Sequence, residues 1–391
     1  RVQDCGRRRG RLHGLVEPMN APANVVAPGS VLQICLSQGW GGLEMYPIRV
    51  GKGLVERGWR VFGLALAGSR VASDMKAAGF EVFEAASRNQ AILRLPALLR
   101  WMKQSGIQIV HCHKSSDLLL AVLLGTFSSF RLIFTEHMGS KRPKKDPLHR
   151  WIYGKVDRVL SISDETLRRN RAALPLPAER IQRLWLGTEL TSCEEEPALI
   201  RGELGIPTGP LIGMVGRFSP GKGQRELLEA FALLRTEFPD LQLLLVGGTL
   251  ATEGADEPFV TELECDITQR QLGGVVHFSG FRRDTARMLQ AMDVVVIPSH
   301  NEAFGLTVIE AMAAGKPIVG ATTGAVPEVL GGVGLLAEPL QPQVIAAQIK
   351  VLLRDPELSE RLGKLARERA EQKFDMSLHL DLLIDIYQGL S

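Results

Sequence analysis

Two sets of short apolar runs, each alternating with longer amphipathic stretches, constrain this chain more than any other feature. The first set has strand candidates at 31–36, 60–65, 80–84, 107–112, 131–135 and 157–162, with helical patterns at 43–57, 90–104 and 163–172. The second has strands at 211–215, 241–246, 275–279, 293–297 and 317–320, and helices at 224–236, 258–271, 305–314, 341–353 and 356–373. Parallel strands need a long crossover, and a helix supplies it, so βαβα alternation implies parallel sheets covered by helices on both faces. The stretch 191–209 is acidic and carries Pro and Gly, which reads as a linker between an amino-terminal domain, 30–190, and a carboxyl-terminal domain, 210–375. In open α/β sheets ligands sit beyond the carboxyl ends of the strands, so two such domains facing each other make a cleft between them.

Composition narrows the class. At 391 residues the chain has room for two domains, each with a sizeable core. The five cysteines have no CxxC spacing and are odd in number, which argues against a disulfide framework and fits a reducing cytoplasm. The longest apolar run, Leu118 to Phe127, is half of the roughly 20 residues that a spanning helix needs. Any membrane attachment is therefore expected to be peripheral, on the inner face of the cytoplasmic membrane. Residues 1–18 show no apolar signal core, Met19 is a candidate start, and residues 1–29 are set aside from the fold. The net charge of +3 hides an asymmetry: residues 1–190 hold 29 Lys+Arg against 15 Asp+Glu, and the rest hold 17 against 28. A basic first half points to an anionic partner or to plain solvated charge.

Three loops carry the chemistry. In 298–315 a strand ends, Glu302 follows on a loop, and a helix begins near Gly305 with Glu310 inside it. Amides at Phe304, Gly305, Leu306 and Thr307 are free at such a helix start and favour a pyrophosphate. Helical side chains lean back toward the N-terminus, so Glu310 reaches a group beside that phosphate, such as a ribose diol. Glu302 is placed to accept hydrogen bonds from sugar hydroxyls. In 216–223, GRFSPGKG, Arg217 and Lys222 clamp a diphosphate leaving group. The stretch is nearly a P-loop, but Gly223 stands where the Mg²⁺-binding hydroxyl belongs, which weakens a nucleotide-hydrolase reading. In 39–44, Gly41 and Gly42 let the backbone approach a ligand ahead of a helix.

His111, His113 and His137 lie near strand ends; His113 and His137 face the cleft in one reading and are structural in the other. Zinc ligation would need better spacing and more ligands. No Asp-x-Asp occurs, and Glu262, Glu264 and Asp266 alternate on a helical stretch, so no metal site is expected.

Together these residues resemble the retaining glycosyltransferases of the GT-B fold, specifically glycosyltransferase family 4 (group 1). The family's E-x7-E motif is matched by Glu302 and Glu310, its G-R-x(4)-K-G donor loop by Arg217 to Gly223, its glycine loop by Gly41 and Gly42, and its cleft histidine by His137. Met138 stands where many members have Gly, and Leu186-Gly187-Thr188-Glu189 replaces the usual N-G-[IV]-D. The resemblance implies two Rossmann-like domains with a last helix, about 376–390, packed back on the first. It implies sugar transfer from a UDP- or GDP-sugar, retention of anomeric configuration and no metal or other cofactor. His137 then contacts sugar or acceptor, and the leaving phosphate oxygen takes the acceptor proton.

The acceptor side falls to the basic half. Residues 141–150 hold five Lys/Arg and one Asp. Lys141, Arg142, Lys144 and Lys145, with His113, are candidates to meet a glycan or lipid-linked acceptor of the lipopolysaccharide type at an anionic membrane. No aromatic-interleaved basic stripe supports nucleic acid. The rival readings are a P-loop-like nucleotide hydrolase and a non-catalytic sugar-nucleotide-binding protein.

Overall fold

The computed structural model describes residues 29–140 and 142–390. Its first sheet has seven parallel strands: β1 (Ser30–Cys35), β2 (Arg60–Leu66), β3 (Glu81–Ala85), β4 (Ile109–Cys112), β5 (Arg131–Glu136), β6 (Arg158–Ser161) and β7 (Ile181–Arg183). They lie in the order β3-β2-β1-β4-β5-β6-β7. The second sheet has six: β8 (Leu211–Val215), β9 (Gln242–Val246), β10 (Val276–Phe278), β11 (Val294–Ile297), β12 (Ile318–Ala321) and β13 (Leu335–Ala337), in the order β10-β9-β8-β11-β12-β13. β1 is buried at all six positions, which is why it reads as an apolar run rather than an alternation.

In each sheet the winding direction reverses between the first strand and the next but two: at β1/β4 in one and β8/β11 in the other. Crevices open beyond the carboxyl ends of strands at such switch points. The loops that follow β1, β8 and β11 are the three motif loops, so the topology gathers them at those openings. Each domain is thus an open, all-parallel, Rossmann-like sheet, as the sequence reading expects.

Several elements differ from the sequence reading. The stretch 90–104 divides into helices Arg88–Leu93 and Leu95–Ser105, because Pro96 cannot continue a helix and sits instead in the first turn of the second one. The apolar run Leu118–Phe127 is a helix with Leu118, Leu120, Ala121, Val122 and Leu124 buried. Within the linker stretch, Pro197–Glu203 forms a short helix with Pro at its start. Among the described residues no helix is long and apolar enough to cross a membrane.

The chain crosses between domains twice, and the crossings touch. Thr188 and Asp375 form an isolated bridge, with Thr188 N–H donating to the Phe374 carbonyl at 2.9 Å and Met376 N–H to the Thr188 carbonyl at 3.1 Å. Beyond it, helix Met376–Gln388 packs on helix Gly42–Glu56 of the first domain. A Cβ on Gly53 would lie 2.3 Å from Leu380 Cδ1, so any larger residue there would have to displace that buried side chain.

Candidate active site

The second domain supplies two adjoining loops. Gly223 has φ 90°, a left-handed conformation that favours glycine, and a Cβ there would lie 2.3 Å from the Pro298 carbonyl oxygen. The loop after β8 therefore presses on the loop after β11. His300 N–H donates to the Gly221 carbonyl at 2.9 Å, and His300 Nε2 meets Glu226 Oε1 at 2.9 Å. This contact brings Lys222 Nζ to Glu302 Oε1 at 2.5 Å, a partly exposed ion pair that links the two motifs. Arg217 is exposed, and its guanidinium has no partner among the described residues.

Gly305, at φ 89°, precedes helix Leu306–Ala313. No side chain caps this N-terminus, so its first amides keep their hydrogen-bonding capacity for a ligand. Phe304 is 3% exposed and packs edge-on against Phe374, 6.0 Å between centroids, which anchors the loop from below. Glu310 is largely desolvated, which raises its carboxyl pKa, while the positive charge of Arg49 on the first domain acts the other way.

The first domain's glycine loop meets this helix. A Cβ on Gly42 would lie 3.7 Å from Leu306 Cδ1, so the loop after β1 faces the start of this helix. Gly41 precedes helix Gly42–Glu56, again with no side-chain cap. Ser37 and Lys114 brace the loop: Ser37 Oγ meets Glu44 Oε1 at 2.8 Å, and Lys114 Nζ donates to Ser37 Oγ at 2.9 Å.

The histidines are placed deeper. His113 is 1% exposed, with Nε2 2.6 Å from Gln33 Oε1, so no acceptor reaches it in this conformation. His137 is 5% exposed, its Nε2 has no partner among the described residues, and burial pulls its pKa down to about 3. Both rings pack edge-on against Tyr46. Tyr46 OH lies 3.0 Å from His379 Nε2, His379 Nδ1 donates to the Trp185 carbonyl at 2.7 Å, and His111 bridges Tyr387 OH and Thr135 Oγ1 at 2.7 Å each. His379 and Tyr387 lie on the last helix, so this buried cluster fastens that helix to the first domain. Tyr46, His379 and Tyr387 carry no local motif; only the three-dimensional contact reveals them.

Of the basic candidates, Arg142 and Lys145 are exposed, and Lys144 donates to Tyr153 OH at 2.9 Å. Lys141 lies outside the described residues.

Two family models match the chain: Glycosyltransferase Family 4 over residues 40–191 and Glycosyl transferases group 1 over residues 198–369. Among curated relatives, an alpha-D-kanosaminyltransferase of Streptomyces kanamyceticus is 29% identical over 257 residues, 63% of this chain and 64% of that one. A D-inositol 3-phosphate glycosyltransferase of Jonesia denitrificans is 36% identical over 180 residues, 44% of this chain and 42% of that one. The chain thus spans less than two thirds of the length of these relatives. Among solved structures, a glycosyltransferase from Rickettsia africae superposes with a TM-score of 0.84 at 19% identity, covering 93% of this chain and 99% of that one. Anabaena HepE in complex with UDP and glucose superposes with a TM-score of 0.77 at 22% identity, covering 92% and 100%. With the two models matching one domain each and the motif loops of both gathered at one cleft, the chain belongs to the family 4, group 1 glycosyltransferases.

Proposed function

We propose that this protein transfers a sugar from a UDP- or GDP-sugar to a glycan or lipid-linked acceptor, with retention of anomeric configuration and without a metal. The observation that carries this reading is the convergence at one cleft of uncapped helix amides, the Lys222–Glu302 pair, the unpaired Arg217 and the desolvated Glu310.

Lys222 and Glu302 pair with each other. A donor exchanges that pair for two better-matched contacts: Lys222 turns to the diphosphate and Glu302 accepts from sugar hydroxyls. Arg217 and Lys222 then stabilise charge as it grows on the departing diphosphate, where a preorganised cation acts most strongly. Glu310 accepts from the ribose hydroxyls, and desolvation makes that bond stronger than it would be in water. The leaving phosphate oxygen takes the acceptor proton. His137 adjoins the sugar or acceptor position as a neutral imidazole. That the Anabaena protein holds UDP and glucose supports a nucleotide-sugar donor here. A thermal-shift screen across UDP- and GDP-sugars tests the reading, with stabilisation expected from one of the two series and unchanged by EDTA. No shift from either series, or a shift abolished by EDTA and restored by Mg²⁺, contradicts it.

The acceptor reading draws on the surface of the first domain. Helix Pro147–Gly154 exposes Leu148 at 55% and Trp151 at 42%, three residues apart on one face, among exposed Arg142, Lys145, Arg150 and Lys155. An apolar tip within a basic field suits an anionic bilayer, each basic residue adding about 1 kcal/mol near the surface. On this reading the enzyme works peripherally on the cytoplasmic face in cell-surface polysaccharide or lipopolysaccharide synthesis. Sedimentation with anionic vesicles should fall at high salt and on neutralising Arg142 and Lys145. Absence of binding at low salt would favour a soluble acceptor.

A further inference from the structure

The start of helix Asp164–Ala173 of the first domain meets the second domain at two points, one on the loop bearing Glu302 and one on helix Val326–Leu330. Its N-terminus is capped within the domain by Ser163, whose side chain accepts from Thr166 N–H. The same Ser163 hydroxyl donates to the Ala303 carbonyl at 2.8 Å. Next to it, the Asp164 N–H donates to both carboxylate oxygens of Glu328, at 2.8 and 2.7 Å. Glu328 belongs to the second domain, on the short helix Val326–Leu330, and its side chain is only 14% exposed. It also accepts from the Trp185 indole N–H, and Arg183 lies 3.9 Å away while stacking on Trp185. A carboxylate from one domain thus sits on the positive end of a helix from the other.

The Ser163 contact bears on the geometry of the loop that carries Glu302. A peptide is planar and trans, so holding a carbonyl one way holds the next residue's N–H the opposite way. The Ala325 N–H fixes the Glu302 carbonyl at 2.9 Å, which aims the Ala303 N–H. Ser163 fixes the Ala303 carbonyl, which aims the Phe304 N–H. One of these two anchors comes from the second domain itself; the other comes only from the first.

We propose that Glu328 and Ser163 are positioning residues: Glu328 docks the first domain's Asp164–Ala173 helix on the second domain and Ser163 anchors the loop bearing Glu302, so that the loop's amides take their ligand-binding direction only when the domains are docked. The proposal rests on the donor site argued above, and it gives that site a condition for competence. Neither residue touches the nucleotide sugar.

Asp164 permits a clean test, because it is the first residue of its helix. Proline is favoured there, and the extended backbone of Ser163, φ −155° and ψ 166°, is what a residue before proline adopts. Asp164→Pro deletes the N–H that Glu328 accepts and leaves the helix intact. Asp164→Ala keeps the N–H and is the control, since both lose the exposed pair with Arg183. Calorimetry with UDP and GDP, at a temperature where both variants are folded, should show Asp164→Pro binding about tenfold or more weakly than Asp164→Ala, as expected for a lost bond to a charged group. Glu328→Gln should weaken binding likewise, and the double variant Asp164→Pro/Glu328→Gln should lose no more than the worse single one, since both remove one interaction. Small-angle scattering should show Asp164→Pro more open than Asp164→Ala without any nucleotide. Equal affinities for Asp164→Pro and Asp164→Ala, independent losses in the double variant, or identical scattering would each overturn the clamp. Scattering needs no ligand, so it decides the clamp even if the wild-type protein binds neither UDP nor GDP, a result that would overturn the proposed donor instead.

Discussion

On the second domain's wall of the cleft, Arg217 is exposed, and Lys222 and Glu302 are partly so and paired with each other. On the first domain's wall, His111, His113, His137 and His379 are each 5% exposed or less, and burial lowers the pKa of every one. One wall keeps Arg217, Lys222 and Glu302 near water and free to exchange partners when a ligand arrives. The other keeps its groups neutral and spends their hydrogen bonds on its own architecture, above all on holding helix Met376–Gln388. Charge near water costs little to carry, whereas burial disfavours the charged form of a group that has no charged partner.

Acid should affect the first wall most, and this is the largest effect expected. Folded His137 protonates only near about 3 and His379 near about 4, while the unfolded chain takes up those protons around the ordinary value of 6.5. Between those values the unfolded state binds more protons, so stability falls as pH falls below 6.5. At about pH 5 each of the two costs about 2 kcal/mol, and His111 and His113 act in the same direction. The raised carboxyls of Asp117, Glu136, Glu310 and Glu328 act the opposite way, since their folded forms take up protons first. Thermal unfolding should show a marked drop in Tm from about pH 7.5 to about pH 5. A flat profile would mean that the histidines do not stay neutral in the folded protein.

The second wall should respond in rate rather than stability. Arg217→Ala and Lys222→Ala should each lower kcat by the equivalent of about 3–4 kcal/mol, as for loss of a preorganised transition-state donor, with little change in Tm. Near-native kcat in both would dissolve the contrast between the walls.

The contrast also explains what the sequence made legible. Arg217, Lys222, Glu302, Gly305 and Glu310 lie in two contiguous stretches, because a strand end, a loop and a helix start present their groups locally. Gly41 and Gly42 are legible for the same reason. The first wall is assembled from β1, β4, β5, helix Gly42–Glu56 and the last helix, so Tyr46 meets His379 across 333 positions. No spacing rule spans that distance. Ser163 and Thr166 announce a helix cap, but nothing local shows that the Ser163 hydroxyl also reaches Ala303. The strands that escaped the sequence reading, β7 and β13, have three residues each; β10 is as short, but Val275 before it extends its apolar run.

On the proposed function, Glu302 serves the sugar and Glu310 the nucleotide. Titration of UDP and GDP into Glu310→Ala and Glu302→Gln, with turnover measured on the same preparations, tests it most directly. Glu310→Ala should weaken binding of the free nucleoside diphosphate, because the ribose contact is lost. Glu302→Gln should bind it nearly as the wild type does and lose turnover, because its partner is the sugar. The reverse pattern, or unchanged binding and turnover in both, would contradict the placement of the nucleotide in this cleft.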